Sequence, residues 1–245
     1  MPSPEVMILV PLIVLFAYLV FGVSGFGSTL IAIPFLMHVI PLKFAIPMVV
    51  VLDCVSAISM GLKLRADVLK AEFMPMLPFL VAGLLLGAFV LLNVPAQWLM
   101  LALGALVLVF GANFLLTRKS AIQLPRWSVA PIGLFAGTTS SAFGVGGPIY
   151  VFYFAARGAT PEQIRATVPA VFSFTSVARI AIFAGVGLFN VQVLTAVAAL
   201  LPVMALGLWC GHRLHGRLTR EQAIRIIGTL LLLSGASLIV RAFAQ

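Results

Sequence analysis

Ser141-Ala142-Phe143-Gly144-Val145-Gly146-Gly147-Pro148, at positions 141–148, interrupts an apolar run that otherwise extends over 128–156. An earlier stretch, Ser24-Gly25-Phe26-Gly27-Ser28-Thr29, interrupts a second such run over 7–40. Glycine costs a helix interior roughly 1 kcal/mol relative to alanine and lets the backbone turn sharply. Each run therefore reads as two short helices joined at a break. Pro148 suits the start of a second helix, where the amide it lacks would have had no partner.

The rest of the chain says what solvent surrounds these breaks. Of 245 residues, 62% are hydrophobic and 9% charged, too few charges for the mixed surface that keeps a soluble domain dispersed. Apolar stretches of about 17–25 residues, the length that crosses a bilayer, recur at 43–62, 74–92, 97–116, 162–184, 191–211 and 222–242. An all-α polytopic membrane protein is the expected fold class, with no segment left for a soluble catalytic domain. Met1 to Val6 carry Glu5 and no Lys or Arg, so the first apolar segment reads as retained and not as a cleaved signal.

The formal net charge of +9 is no sign of nucleic acid, because the basic residues fall in short loops, where the positive-inside rule accounts for them. Cys54 and Cys210 lie in apolar runs with no His or Cys at ligand spacing and read as packing residues. His38, His212 and His215 read as interfacial. Trp98 and Trp127 open apolar segments, as interfacial anchors do. No metal, cofactor or catalytic constellation is expected, and the chain reads as a non-enzyme.

Pro78, Gly83, Gly87, Gly104 and Gly111 match Pro202, Gly207, Gly211, Gly228 and Gly235 at one constant offset. The chain thus divides into a first repeat over 1–116, a connector over 117–126 and a second repeat over 127–245. Upstream of these matches, Ser24–Gly27 faces either Ser141–Gly144 or Gly144–Gly147.

Equivalent loops carry opposite charge. Lys63, Arg65 and Lys70 fill the first of them, whereas its counterpart over 184–193 has no charge. The 93–97 loop has no Lys or Arg, whereas its counterpart holds Arg213, Arg217, Arg220 and Arg225. With basic loops inside, the two repeats are inverted. Inversion requires an odd number of crossings per repeat. Each repeat is therefore expected to hold one glycine-broken re-entrant hairpin and three transmembrane helices, with both termini outside a cell (plasma) membrane; Lys43 is the one charge out of place.

Irregular backbone at membrane depth must be buried in protein or line a watery cavity. In inverted-repeat transporters such breaks aim helix N-termini at an anion. Gly25, Gly27, Gly144, Gly146 and Gly147 would let the backbone approach an oxyanion, and Ser28, Thr29, Thr138, Thr139, Ser140 and Ser141 would offer hydroxyls. The competing reading is that glycines only let helices pack closely, and it is preferred for Gly83, Gly87, Gly207 and Gly211.

The stretch Gly144-Val145-Gly146-Gly147-Pro148, followed by Ala156-Arg157-Gly158, Arg165-Ala166-Thr167 and Arg179, resembles the second-half signature of the TauE/SafE family of sulfite exporter-like permeases. The resemblance covers essentially the whole chain. It implies a polytopic secondary carrier for sulfite, an organosulfonate or a related small sulfur-containing anion, usually an exporter. Gly27-Ser28-Thr29 stands where members often have a run of glycines, and Ala32-Ile33-Pro34 keeps the proline that follows.

Two charges lie inside apolar segments, Asp53 and Arg179, and such residues default to function, with a paired charge as the alternative. Arg179 is read as meeting the anion or pairing with Asp53, and Asp53 as a carrier of a coupling proton. Arg157 and Arg165 flank the cytoplasmic mouth, as topogenic loop charges or as residues that gather anions from the cytosol; the loop reading is preferred for Arg157. The partners are a small anion and the bilayer, with a homo-oligomer left open. An anion channel is the alternative function, and an intramembrane enzyme or assembly factor the weaker one. Accessibility tags in 93–97 and 184–193 are expected to label from outside and tags in 63–72 and 212–222 from inside; a shared side for 63–72 and 184–193 would overturn the inversion.

Overall fold

A computed structural model describes residues 4–24, 28–61, 68–116, 123–214 and 220–244. Ten α-helices follow in order: α1 (Pro4–Ser24), α2 (Ser28–Leu36), α3 (Leu42–Gly61), α4 (Lys70–Asn93), α5 (Ala96–Leu116), α6 (Val129–Phe143), α7 (Gly147–Ala156), α8 (Pro161–Gly185), α9 (Val191–Leu214) and α10 (Arg220–Ala244). Among the described residues there is no strand. By length and composition, α1, α4, α5, α8 and α9 can each cross a membrane, whereas α2 and α7, at 9 and 10 residues, cannot. Both broken segments are thus two helices each. Their arms are unequal, since α1 alone has 21 residues and is longer than the half-helix expected there.

The chain forms two compact units that cut across the expected domain limits. One holds residues 1–49, 93–118 and 190–245, the other 50–92 and 119–189. The 117–126 boundary therefore separates repeats in sequence without separating compact bodies, because helices of one repeat pack on helices of the other within each unit.

In the first unit α9 lies along α1. A Cβ built on Gly207 would stand 2.7 Å from the Leu15 carbonyl oxygen and 3.2 Å from the Leu19 nitrogen, and one on Gly211 would run into the Leu19 carbonyl and Gly22. In the second unit α4 lies along α6 in the same way. A Cβ on Gly83 would strike the Leu134 carbonyl and stand 2.9 Å from the Thr138 nitrogen, and one on Gly87 would meet the Thr138 carbonyl and the Ser141 Cβ. These glycines are closely packed, as the packing reading holds.

The two locks engage equivalent positions, and they shift the register of the two repeats. Gly83 and Gly207 are 124 residues apart, as are Gly87 and Gly211, but their contacts pair Leu15 with Leu134, Tyr18 with Gly137, Leu19 with Thr138 and Gly22 with Ser141, each 119 apart. Carried to the end of α1, this sets Ser24 against Phe143, between Ser141 and Gly144, the two positions expected from sequence; Gly25, Phe26 and Gly27 lie outside the described residues. The five-residue difference lies between the break and the fourth helix of each repeat, α4 or α9, where sequence alone offers nothing to anchor an alignment.

The first unit contains a further seam between α5 and α10. Gly104 faces the Gly235 carbonyl, and Gly111 faces the Gly228 carbonyl, each with a built Cβ 3.1 Å from the oxygen. Rising positions on α5 thus meet falling positions on α10, so the two helices are antiparallel. His38, just beyond α2, donates from Nδ1 to the Pro34 carbonyl and pairs through Nε2 with the Ser237 hydroxyl of α10, both at 2.9 Å.

Gly83→Ala and Gly207→Ala are each expected to lower thermal stability in detergent by about 1–3 kcal/mol, since the added methyl forces backbone apart. Gly185→Ala, where a built Cβ meets nothing within 4 Å, is expected to leave the melting temperature unchanged.

Candidate functional site

The break between α6 and α7 lies wholly inside the second unit, and every residue from Ser141 to Tyr150 is buried. Gly144 ends α6 with φ +76°, the left-handed conformation, and its amide returns to the Ser140 carbonyl at 2.9 Å. A side chain there would cost about 1–2 kcal/mol, which explains the residue. Gly146 is the N-cap of α7 and brings no side-chain cap, and Pro148 occupies the first turn. Among the described residues no carbonyl accepts from the Gly146 or Gly147 amide. These amides and the positive end of the α7 dipole form the kind of terminus that receives anions.

The hydroxyls sort themselves by use. Thr138 donates to the Leu134 carbonyl at 2.8 Å and Thr139 to the Phe135 carbonyl at 3.0 Å, the ordinary fate of a hydroxyl in a helix. They are thereby removed from the expected donors. Ser140 and Ser141, the next two residues, are 1% and 0% exposed, and neither hydroxyl oxygen has a hydrogen-bond partner.

Arg179 of α8 is 3% exposed, with its guanidinium carbon 5.8 Å from the centre of the Phe183 ring. Asp53 of α3 belongs to the same unit and is 7% exposed. Ser28 and Thr29, at the start of α2 in the other unit, are buried; Gly25 and Gly27 lie outside the described residues. The unit division separates Ser28 and Thr29 from Ser141, Gly144, Gly146, Gly147 and Arg179. Cys54 is buried and Cys210 half-buried, while His215 lies outside the described residues.

Sequence reasoning missed Tyr150, which is fully buried and whose hydroxyl also lacks a hydrogen-bond partner. It lies one turn after Gly146, and a Cβ on Gly146 would come within 2.7 Å of the Tyr150 hydroxyl oxygen. Its ring packs edge-on against Phe172 at 5.7 Å, and Phe172 also closes over Gly147. The one available signal was the i+4 spacing, which puts a lone tyrosine on the same face as the break.

Sequence reasoning also missed Glu72. Arg157, read as a loop charge, donates from Nε and Nη2 to the two Glu72 carboxylate oxygens at 3.0 and 2.7 Å, and from Nη1 to the Leu124 carbonyl at 2.7 Å. Tyr153 donates to the same carboxylate at 3.0 Å, and the Leu124 amide bonds the Ala156 carbonyl. The C-terminal end of α7 is thus bolted to α4 and to the segment before α6, and the Glu72 carboxylate holds the Arg157 guanidinium further above its already high range. Residues 85 apart carry no local pattern that announces such a pair.

A family model described as "Sulfite exporter TauE/SafE" matches residues 10–238. The chain is 30% identical over 169 residues to a probable sulfite/organosulfonate exporter TauE of Cupriavidus necator, covering 69% of this chain and 66% of that relative. It is 26% identical over 164 residues to a probable inner membrane transporter protein TsaS of Comamonas testosteroni, covering 66% of this chain and 69% of that relative. The chain therefore spans about two thirds of the length of these relatives. No solved structure matches it.

Glu72→Gln and Arg157→Gln are each expected to cost about 1 kcal/mol of stability, the pair being partly exposed. The double variant should cost less than the two single losses combined, as measured by thermal unfolding in detergent; additive losses would show that the pair is not coupled.

Proposed function

Because the chain belongs to the sulfite exporter TauE/SafE family, we propose that it is a secondary permease carrying sulfite or a small organosulfonate across the plasma membrane. The anion binds at the α6–α7 break through Ser141, Gly146, Gly147 and Arg179, with Gly144 making the left-handed turn that brings the backbone to the anion. The observation that carries this reading is the surplus of donors. Two amides at a buried helix terminus and two serine hydroxyls at the end of the preceding helix have no acceptor of their own, and a sulfur oxyanion presents several acceptor oxygens at once. The curated relatives, named as an exporter of sulfite or organosulfonate and as an inner membrane transporter, support the same substrate class. Ser28, Thr29, Gly25 and Gly27 are assigned the corresponding role at the start of α2.

The inverted topology is part of this proposal and has support of its own. The glycine spacing makes α5 and α10 equivalent helices of the two repeats, and they run antiparallel; a direct repeat would leave them parallel. Gly207 and Gly211 meet α1 in rising order, so α1 is parallel to α9 and, through α10, to α5. Successive spanning helices alternate in direction, and three elements separate α1 from α5. The parallel pair therefore favours α2 turning back as the short arm of a re-entrant hairpin. On this topology both termini face outside.

Asp53 is assigned the coupling proton, since an ionisable side chain within an apolar segment defaults to a functional role and a carboxylate is a group that can carry a proton. The test is uptake of labelled sulfite and a two-carbon sulfonate into proteoliposomes, with and without a proton gradient. Saturable uptake is expected, Gly146→Leu abolishing it without loss of inserted protein, Arg179→Gln weakening apparent affinity about tenfold or more, and Asp53→Asn removing the dependence on the gradient. Uptake that never saturates would make the protein a channel, and absence of uptake of either anion would overturn the assignment.

A further inference from the structure

Tyr150 carries an inference that rests on the binding reading above and extends it to a residue no motif singles out. Its side chain is fully buried, packed edge-on against Phe172, and its hydroxyl oxygen lies at the N-cap of α7, where even a methyl on Gly146 would crowd it. The Ser140 and Thr175 hydroxyls lie beside that hydroxyl, near enough to interact with it, and the Arg179 charge acts on it, yet it makes no hydrogen bond of good geometry within the protein. The Thr175 hydroxyl gives its proton to the Phe172 carbonyl at 3.2 Å, so it has none to offer the phenol oxygen. A phenol that serves only as packing would be phenylalanine, because an unsatisfied buried hydroxyl is destabilising. Three such hydroxyls in one neighbourhood, on Ser140, Ser141 and Tyr150, together with two unpaired amides, call for one multivalent acceptor. A water molecule accepts at most two hydrogen bonds, too few for five donors.

We infer that Tyr150 is a substrate-binding residue, whose phenolic O–H donates to an oxygen of the sulfur oxyanion held at the Gly146 and Gly147 amides and the Ser140 and Ser141 hydroxyls. Phe172 positions the ring by its edge-on contact and closes the apolar side of the same pocket. The arrangement selects for the number of acceptor oxygens. An SO3 group shared by sulfite and sulfonates presents three separate acceptor oxygens to these donors, whereas a halide of the same charge is a single acceptor centre that all of them would have to reach at one point.

Binding to the purified full chain in detergent tests this, with sulfite, a two-carbon sulfonate and chloride as ligands and isothermal calorimetry and thermal unfolding as readouts. Tyr150→Phe keeps the ring and removes the hydroxyl. The expected result is a loss of sulfite affinity of about 10- to 100-fold, the range for a hydrogen bond to a charged group. The melting temperature of the ligand-free variant should stay level or rise, because a buried unsatisfied oxygen has been deleted. These opposite signs separate a ligand from a structural tyrosine, which would lower stability and leave affinity alone. Ser140→Ala should behave like Tyr150→Phe, and Thr139→Val, whose hydroxyl is spent on its own helix, should leave affinity unchanged. If the wild type binds sulfite and Tyr150→Phe binds it equally well, the role of Tyr150 is overturned and the permease reading survives. If the wild type binds neither sulfite nor the sulfonate, or binds chloride as tightly, the binding reading itself fails.

Discussion

Hydrocarbon offers a backbone amide nothing to bond, so a helix that breaks at membrane depth must keep its loose ends inside the protein. The α6–α7 segment obeys this by burying every residue from Ser141 to Tyr150. It places its glycines where the chain needs a left-handed cap at Gly144 and a bare helix start at Gly146. The break retains donors that the protein itself does not satisfy, on Ser140, Ser141 and Tyr150. Such groups are a standing cost to the fold, and a cost of this kind persists where a ligand removes it.

The two ends of α7 are built on opposite lines. At its C-terminal end Arg157 holds Glu72 and the Leu124 carbonyl, and the Ala156 carbonyl is engaged by the Leu124 amide. Three separate pieces of chain are fastened there. At its N-terminal end the amides and nearby hydroxyls are unspent. A short helix fixed at one end and open at the other presents its dipole in a fixed direction, as preorganised binding of an anion requires. Lysine in place of Arg157 would not reproduce the fastening, because only a planar guanidinium can meet both carboxylate oxygens and a carbonyl together.

Lipid tails are as apolar as leucine side chains, so helices within a bilayer gain little from hydrophobicity when they associate and depend on close contact. The glycines of α4, α5, α9 and α10 bring backbone onto backbone. The contacts of α9 in one compact unit and of α4 in the other fall on positions spaced 119 residues apart. That recurrence is independent of loop charge.

Hydropathy and glycine placement are local properties, and from them the sequence by itself determined the helical class, the two broken segments, the ends of nearly every helix and the pairing of glycines between the halves. The family was legible too, in Gly144-Val145-Gly146-Gly147-Pro148 and the arginines that follow. The register of the breaks was not, because the five residues that shift it lie in stretches with no marker. Nor was the division of labour among Thr138, Thr139, Ser140 and Ser141, four adjacent hydroxyls that read alike until side-chain directions separate two spent donors from two unspent ones. Tyr150, the Glu72–Arg157 pair and the compact units that mix the repeats were decided only by tertiary structure. Each depends on which helices lie side by side, and contacts between residues far apart in the chain leave no trace in the periodicity of either one.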